Sequence, residues 1–355
     1  MQRRSFLKNA AIIGAATAAT PLMAKRQKKV RLKLATSWPA RFSIMGTGIE
    51  RFAKNVKKMS GGTLDIKVYA ANALVPPLAV FDAASKRKID AFHSGPYYWK
   101  GKNPAFSLFT GFPFGFTPEE HGAWMQHGGG LKLWRELYVK YNLYPFMGGN
   151  TGTQMGGWFK KEIKSLADLK GIKMRIPGLG GEVMSKLGVN PVLMAAGDIY
   201  TSLERGTIDA TEWIAPAHDI KMGFDKVAKY YYTGWHEPGS MLEITFNKEI
   251  WENLSKEHKM IIEIASGEMH SYMMYEFMAK NAKALKKINR KKIIVSKLPD
   301  SVIKSAKTAF KDVVKEQSAK SKDFQKVWNS CEDFLKDVKD WSDLGTQAYL
   351  NTRSS

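Results

Sequence analysis

The stretch Ser165-Leu166-Ala167-Asp168-Leu169-Lys170-Gly171-Ile172-Lys173-Met174-Arg175-Ile176-Pro177-Gly178 holds one full period of the pattern on which the chain is built. Ser165 is a helix-capping residue and Gly171 a helix stop. Ile172 to Ile176 reads as a strand, and Pro177-Gly178 is the breaker that ends it. The period continues with a helix from about Gly181 to Leu187, then Asn190-Pro191-Val192, a helix from Asp198 to Gly206 and a strand from Thr207 to Ala210. Helices alternating with short strands argue for an α/β fold with a largely parallel sheet, whose ligands sit at the carboxyl ends of the strands. Arg175 closes its strand just before the breaker, and Glu212-Trp213 takes the matching place after Ala210. Two strand ends of one lobe therefore present an arginine and an acid.

The same grammar runs upstream. Val30 to Leu34 alternates apolar and basic residues and is broken by Trp38-Pro39. Ile44, Met45, Ile49, Phe52, Ala53 and Val56 share one helical face, Ser60-Gly61-Gly62 ends that helix, and Thr63 to Tyr69 alternates again. A helix-like segment from Leu78 to Lys86 leads into a strand at Ile89 to Phe92. The tripeptide Ile89-Asp90-Ala91 returns as Ile208-Asp209-Ala210, each time after a helix and a polar turn, which supports two similar lobes joined by crossing strands. Thr117-Pro118-Glu119-Glu120 has the form of a capping box and predicts a helix to about Gln126; Gly128-Gly129-Gly130 separates it from a second helix, Leu131 to Tyr141. The first lobe is expected to hand over at Gly148-Gly149, dividing the chain into lobes at 25–149 and 150–250. A strand from Met241 to Phe246 carries Glu243. From Trp251 the pattern is helical to the end of the 251–355 region, interrupted by Lys292-Ile293-Ile294-Val295 and by Pro299. Met273, Met274, Phe277 and Met278 form a methionine-aromatic stripe, for which core packing is the commoner role and a subunit contact the other.

Composition bounds the function. A chain of 355 residues with 44% hydrophobic content can bury more than one core. The formal charge of +22 favours anions, yet it is spread along the chain, so nucleic acid is not the expected partner. The lone Cys331 excludes an internal disulfide, and no His-x-x-x-His or Cys-x-x-Cys spacing points to zinc. At the start, Arg3-Arg4-Ser5-Phe6-Leu7-Lys8, the apolar run Ala10 to Ala19 and Ala24 have the form of a twin-arginine export signal over residues 1–24. The run is too short to span a membrane, so the expected location is the periplasm.

Between Gly148 and Glu243 the residues combine into an anion-holding set. An arginine can take a carboxylate through two parallel N–H···O bonds, while carboxylates and amide oxygens such as those of Asn150-Thr151-Gly152-Thr153-Gln154 can hold a hard cation beside the same ligand. Ser94-Gly95-Pro96-Tyr97-Tyr98-Trp99 adds an aromatic turn at a strand end, where binding residues collect. Gly95 with Gly101-Lys102 lacks both the spacing and the hydroxyl residue of a phosphate loop.

The Gln154 region, Met174-Arg175-Ile176-Pro177, the run Ile208-Asp209-Ala210-Thr211-Glu212-Trp213 and the Tyr97-Tyr98 turn resemble the solute-binding subunits of tripartite ATP-independent periplasmic (TRAP) transporters, and most of all the branch that takes 2-oxo acids and related monocarboxylates. The resemblance spans about Val30 to Trp341. It implies a two-lobed periplasmic binding protein fold with a hinge and long C-terminal helices that brace the lobes or exchange between subunits. Arg175 would bind the carboxylate of a small organic acid. Gln154, Glu212, the Trp213 carbonyl and Glu243 would surround Na+ or Ca2+ bridging to the ligand, and Tyr97, Tyr98 and Asn150 would complete the pocket. The partners implied are the membrane permease subunits and a second copy of the chain. Two other readings compete: a periplasmic enzyme exported folded, and a basic polyanion binder. The first lacks a Gly-x-Ser-x-Gly elbow, a dinucleotide fingerprint and a haem-attachment motif; the second would show affinity for heparin that falls steeply with salt.

Overall fold

The computed structural model describes residues 29–355, so the export segment expected at 1–24 lies outside the described residues. The strands are β1 (Val30–Thr36), β2 (Leu64–Tyr69), β3 (Ala91–Ser94), β4 (Leu143–Asn150), β5 (Met155–Phe159), β6 (Lys173–Arg175), β7 (Asn190–Val192), β8 (Ala210–Thr211), β9 (Tyr230–Thr233), β10 (Met241–Asn247) and β11 (Ile294–Ser296). They form two sheets, ordered β2-β1-β3-β10-β4 and β11-β9-β5-β8-β6-β7. In the first, β1, β2 and β3 are parallel and β10 runs antiparallel between β3 and β4. In the second, β6, β7 and β8 are parallel while β5 runs antiparallel to both β8 and β9.

Local signals explain most of the elements. In β1, Leu32 and Leu34 are buried while Arg31 and Lys33 face out. The helix Met45–Met59 buries Ile49, Phe52 and Val56 on one face, each fully buried apolar side chain contributing about 1.5–3 kcal/mol. The capping box closes as expected: Thr117 N donates to Glu120 Oε2 at 2.8 Å, Glu120 N to Thr117 Oγ1 at 3.3 Å, and the helix spans Pro118–His127. After Ser165 the expected helix is a single tight turn, Leu166–Leu169, with the Asp168 carboxylate accepting from Ser165 N at 2.8 Å. Pro145 and Gly148-Gly149 obscured β4 in the sequence; it is the edge strand of its sheet, where a proline does not interrupt a ladder.

The chain passes from the first sheet to the second at 151–154, between β4 and β5, and returns at 234–240, between β9 and β10. The strand carrying Glu243 therefore pairs within the first sheet, although it falls in the 150–250 segment read as the second lobe. Pairing of β10 with β3 and β4 bridges more than ninety positions of sequence, which no local pattern records.

The C-terminal helices tie the layers together. The 30-residue helix Lys256–Leu285 packs on β4, on Met45–Met59 and on the turn Pro216–Asp219. Its stripe divides: Met273 and Phe277 are buried core, while Met278 is 74% exposed. Beyond β11, the helix Asp300–Lys320 packs on Gly178–Lys186 and the helix Lys322–Ser342 on Pro104–Phe109 and Gly130–Val139, so the pair straddles both layers. Among the described residues no helix is long and apolar enough to cross a membrane.

Candidate functional site

The two crossings touch each other. Thr151 N donates to Ser240 O at 3.0 Å and Ser240 N to Thr151 Oγ1 at 3.0 Å. A Cβ at Gly234 would stand 2.2 Å from Gln154 O, so only glycine lets the returning segment approach so closely. Around this junction the buried polar side chains collect.

Register sets the central pair. Parallel pairing places Arg175 of β6 opposite Thr211 of β8, and Glu212 N donates to Arg175 O at 3.0 Å. The arginine side chain then folds over the strand end: Nη1 donates to Glu212 O at 2.8 Å and to Glu212 Oε2 at 3.1 Å. Its guanidinium carbon lies 4.9 Å from the centre of the Trp213 ring, and Nη2 reaches Tyr98 Oη at 3.5 Å, the outer limit of a hydrogen bond. Arg175 is wholly buried. Burial opposes its charge, Tyr98 and Glu212 favour it, and the net shift is upward, so the arginine stays cationic. Burial raises the Tyr97 and Tyr98 phenols, which remain neutral donors.

Gln154 and Asn150 come from the first crossing. Gln154 Nε2 donates to Thr151 Oγ1 at 3.0 Å and to Ser240 Oγ at 2.7 Å, which directs its Oε1 away from both. Asn150 Oδ1 accepts from Gly152 N at 2.9 Å. The second crossing brings two residues that sequence reasoning missed, His236 and Glu237. Ser240 Oγ donates to Glu237 Oε2, so Gln154, Ser240 and Glu237 form one chain of hydrogen bonds. His236 Nε2 stands 3.6 Å from Glu212 Oε1, close enough for a charge pair and too long for a hydrogen bond. Burial pulls the His236 imidazole down, Glu212 lifts it more, and the result is upward. Glu237 is pushed up by burial, with Glu212 adding to the shift and His236 opposing it.

Glu243 does not join this group. It accepts from Trp99 Nε1 at 2.7 Å and from Thr245 Oγ1, and burial pushes it up to about 7. Strand alternation turns it toward the Trp99 side of the first sheet, so the acid that the crossings supply is Glu237. The signal available for Glu237 was Gly234-Trp235-His236-Glu237-Pro238-Gly239, a glycine- and proline-bounded turn directly after an aromatic strand.

The leftover atoms sort by chemistry. Gln154 Oε1 and Glu212 Oε1, both acceptors, are buried without a hydrogen-bond partner, and so are the donors Arg175 Nε and Asn150 Nδ2 and both ring nitrogens of His236. Buried polar atoms are rarely left unmatched. Acceptors in that state suit a hard cation and donors suit an anion. Among the described residues no cluster of three or more His, Cys, Asp or Glu side chains is placed to hold a metal. Amide and carboxylate oxygens suit sodium or calcium rather than zinc. Beside the site, Tyr97, Tyr98, Ile176, Pro177 and Gly178 line a cavity of about 260 Å³ between the layers.

This arrangement defines a two-layered α/β receptor for a small anion, and comparison with known proteins gives the family. Residues 34–321 match the bacterial extracellular solute-binding protein family 7. A curated relative from Nostoc sp. (strain PCC 7120), the monocarboxylate 2-oxoacid-binding periplasmic protein all3028, is 39% identical over 100% of both chains. Among solved structures, a TRAP periplasmic solute-binding protein from Colwellia psychrerythraea with bound calcium and pyruvate superposes with TM-score 0.88 at 40% identity, covering 92% of this chain and 100% of its own. One from Pseudoalteromonas atlantica T6c with bound sodium and pyruvate gives TM-score 0.88 at 39% identity, covering 91% and 99%. The chain belongs to the family 7 extracellular solute-binding proteins, the TRAP solute receptors.

Proposed function

We propose that the protein captures a small 2-oxo monocarboxylate such as pyruvate, together with a sodium or calcium ion, in the periplasm and delivers it to the membrane permease of a TRAP transporter without transforming it. The observation that carries this reading is the set of buried, unpartnered atoms at the crossings: acceptors on Gln154 and Glu212, donors on Arg175 and Asn150, and the ring nitrogens of His236, which stands beside Glu212. Arg175 takes the ligand carboxylate, with the Tyr97 and Tyr98 hydroxyls and Asn150 beside it. Gln154, Glu212, the Trp213 carbonyl and Glu237 hold the ion, Glu237 replacing Glu243 in the set that the family resemblance implied. The bound cation offsets the buried carboxylates and draws in the ligand oxygens. Because the site lies where the two crossings meet, the segments 151–154 and 234–240 form the hinge between a lobe built on the first sheet and a lobe built on the second. The exposed apolar side chains Met260, Ile264, Tyr275 and Met278 along one face of Lys256–Leu285 form the contact with a second copy.

Isothermal titration with pyruvate, with and without sodium or calcium, tests the reading, alongside native mass spectrometry of freshly purified protein. Saturable binding that strengthens with the ion is expected. Absence of binding to any monocarboxylate under both conditions would overturn it.

A further inference from the structure

The helices Asp300–Lys320 and Lys322–Ser342, with Phe114, enclose a second surface groove of about 460 Å³. Its floor is aromatic: the Phe310 ring lies 5.6 Å from Trp328 and 6.4 Å from Phe114, and both Trp328 and Phe114 are only half-buried. One wall carries Lys307, Lys311 and Lys315, four residues apart, all exposed, with no acidic partner among the described residues. Elsewhere on the same helices lysines and acids do pair across elements, as in Lys186–Glu316 and Lys326–Glu136. The lysine wall is therefore a row of cations without acid partners above an apolar floor, Lys307 lying 5.4 Å over the Phe114 ring, while Glu332, the one acid among the described residues lining the groove, is paired with Lys336 on its own helix at 3.2 Å.

We infer that this groove is an interaction surface for an acidic segment of another polypeptide, bound extended, with carboxylates on alternate residues facing the lysines and apolar side chains facing Trp328 and Phe114. The spacing supports it. Lysines four apart on a helix step by about 6 Å along the axis, and alternate side chains of an extended chain step by about 6.6–7 Å, so successive carboxylates meet successive lysines. The contact combines apolar burial with attraction that salt weakens. A second copy of this chain is not the occupant, since the copy-to-copy contact proposed above falls on Lys256–Leu285 and another surface rich in lysine would repel the lysine wall. A flat anionic lipid surface would meet the lysines but not the recessed floor. The groove is a separate cavity from the one at the acid site, with Phe114 of its floor packed 5.8 Å from Trp235 of the returning crossing, and its chemistry does not depend on which solute is carried.

The probe is a fluorescein-labelled peptide alternating Glu and Leu, followed by anisotropy, with a Lys-for-Glu peptide of the same pattern as control. Saturable binding of the acidic peptide is expected, weakened roughly tenfold or more in Lys307→Glu/Lys311→Glu/Lys315→Glu, since each lost attraction becomes a repulsion. Because the whole protein is basic, an equal charge change elsewhere is the decisive comparison. Lys283→Glu/Lys286→Glu/Lys287→Glu, all exposed on a different helix end, should bind the peptide nearly as wild type does. Hydrogen exchange should show peptide-dependent protection over 307–315 and around Trp328. Equal weakening by both triple variants, or protection elsewhere, would overturn the assignment. So would vesicles of phosphatidylglycerol that bind through the three groove lysines while the peptide does not, since the partner would then be a membrane.

Discussion

Glu237 and Glu243 are both buried carboxylates on the returning limb of the chain, six residues apart, yet their surroundings differ in kind. Glu243 sits on β10 with a tryptophan N–H directed at one carboxylate oxygen and a threonine hydroxyl at the other, so that both of its acceptors are matched. Glu237 sits on the crossing, linked through Ser240 to a glutamine whose oxygen is unmatched and close to a glutamate in the same state. Burial alone thus does not mark a binding site. Unmatched donors and acceptors of opposite demand at one junction do.

The strongest way to break this contrast is at the arginine. Arg175→Ala leaves a buried ligand carboxylate without its partner, at a cost of typically about 2 to 5 kcal/mol, so pyruvate affinity should fall by roughly 30- to several-thousand-fold by isothermal titration. Arg175→Lys should recover only part, because an ammonium cannot reproduce the planar fork. Wild-type affinity in Arg175→Ala would remove the crossings as the site.

Glu243 offers a test by pH. Its folded-state pKa of about 7 lies above the ordinary 4.5. Between those values the unfolded chain has released the proton that the folded chain keeps. The contribution of the neutral acid is therefore complete below about 4.5 and is lost as pH rises through 7, a span worth about 3 kcal/mol. Glu243→Gln should flatten this fall in denaturant titrations across that window while pyruvate affinity stays unchanged. Asp219, also raised by burial to about 7, keeps its own slope in the variant. A large change in ion or acid binding in Glu243→Gln would restore it to the ion site.

Glu237→Gln should do the opposite. Losing one anionic oxygen from a hard-cation site weakens the ion by on the order of a hundredfold, so pyruvate affinity should become steeply dependent on added sodium or calcium. Recovery at high ion concentration separates this from loss of the acid contact itself. Ion-independent binding equal to wild type would exclude Glu237 from the set.

The contrast also explains what could be read in advance. Elements whose cause is local were legible: the alternation of Val30–Thr36, the apolar face of Met45–Met59, the Thr117 capping box. Arg175 and Glu212 could be placed at strand ends too, Arg175 just before the breaker Pro177-Gly178 and Glu212 just after the strand read at Thr207 to Ala210. The strands Met155–Phe159 and Tyr230–Thr233 were not, since the first holds two glycines and the second is an unbroken aromatic run, and both are stabilised by pairing with each other. Glu237 lay in a segment without period, whereas Glu243 stood on an evident strand and drew the assignment. Which acid reaches Gln154 depends on which sheet β10 joins, and that is decided by contacts remote in sequence.

The smallest expected effect is at Ser240, whose hydroxyl is the link between Gln154 and Glu237. Ser240→Ala removes an acceptor 2.7 Å from Gln154 Nε2, which keeps Thr151 Oγ1 as its other partner. It also removes the donor to Glu237, and a hydrogen bond to a charged group contributes about 1.5–3 kcal/mol before water or the ion compensates. With that compensation the loss in ion-supported affinity should be about 1–2 kcal/mol, or roughly five- to thirty-fold. Ser255→Ala is the matched control, removing the cap of Lys256–Leu285, where Ser255 Oγ accepts from His258 N at 3.2 Å, at about 1 kcal/mol of stability without touching affinity. If Ser240→Ala behaved like Ser255→Ala, lowering the unfolding midpoint and leaving binding intact, the hydrogen-bond chain would only pack the crossings together, and Glu237 would have to reach the ion without it.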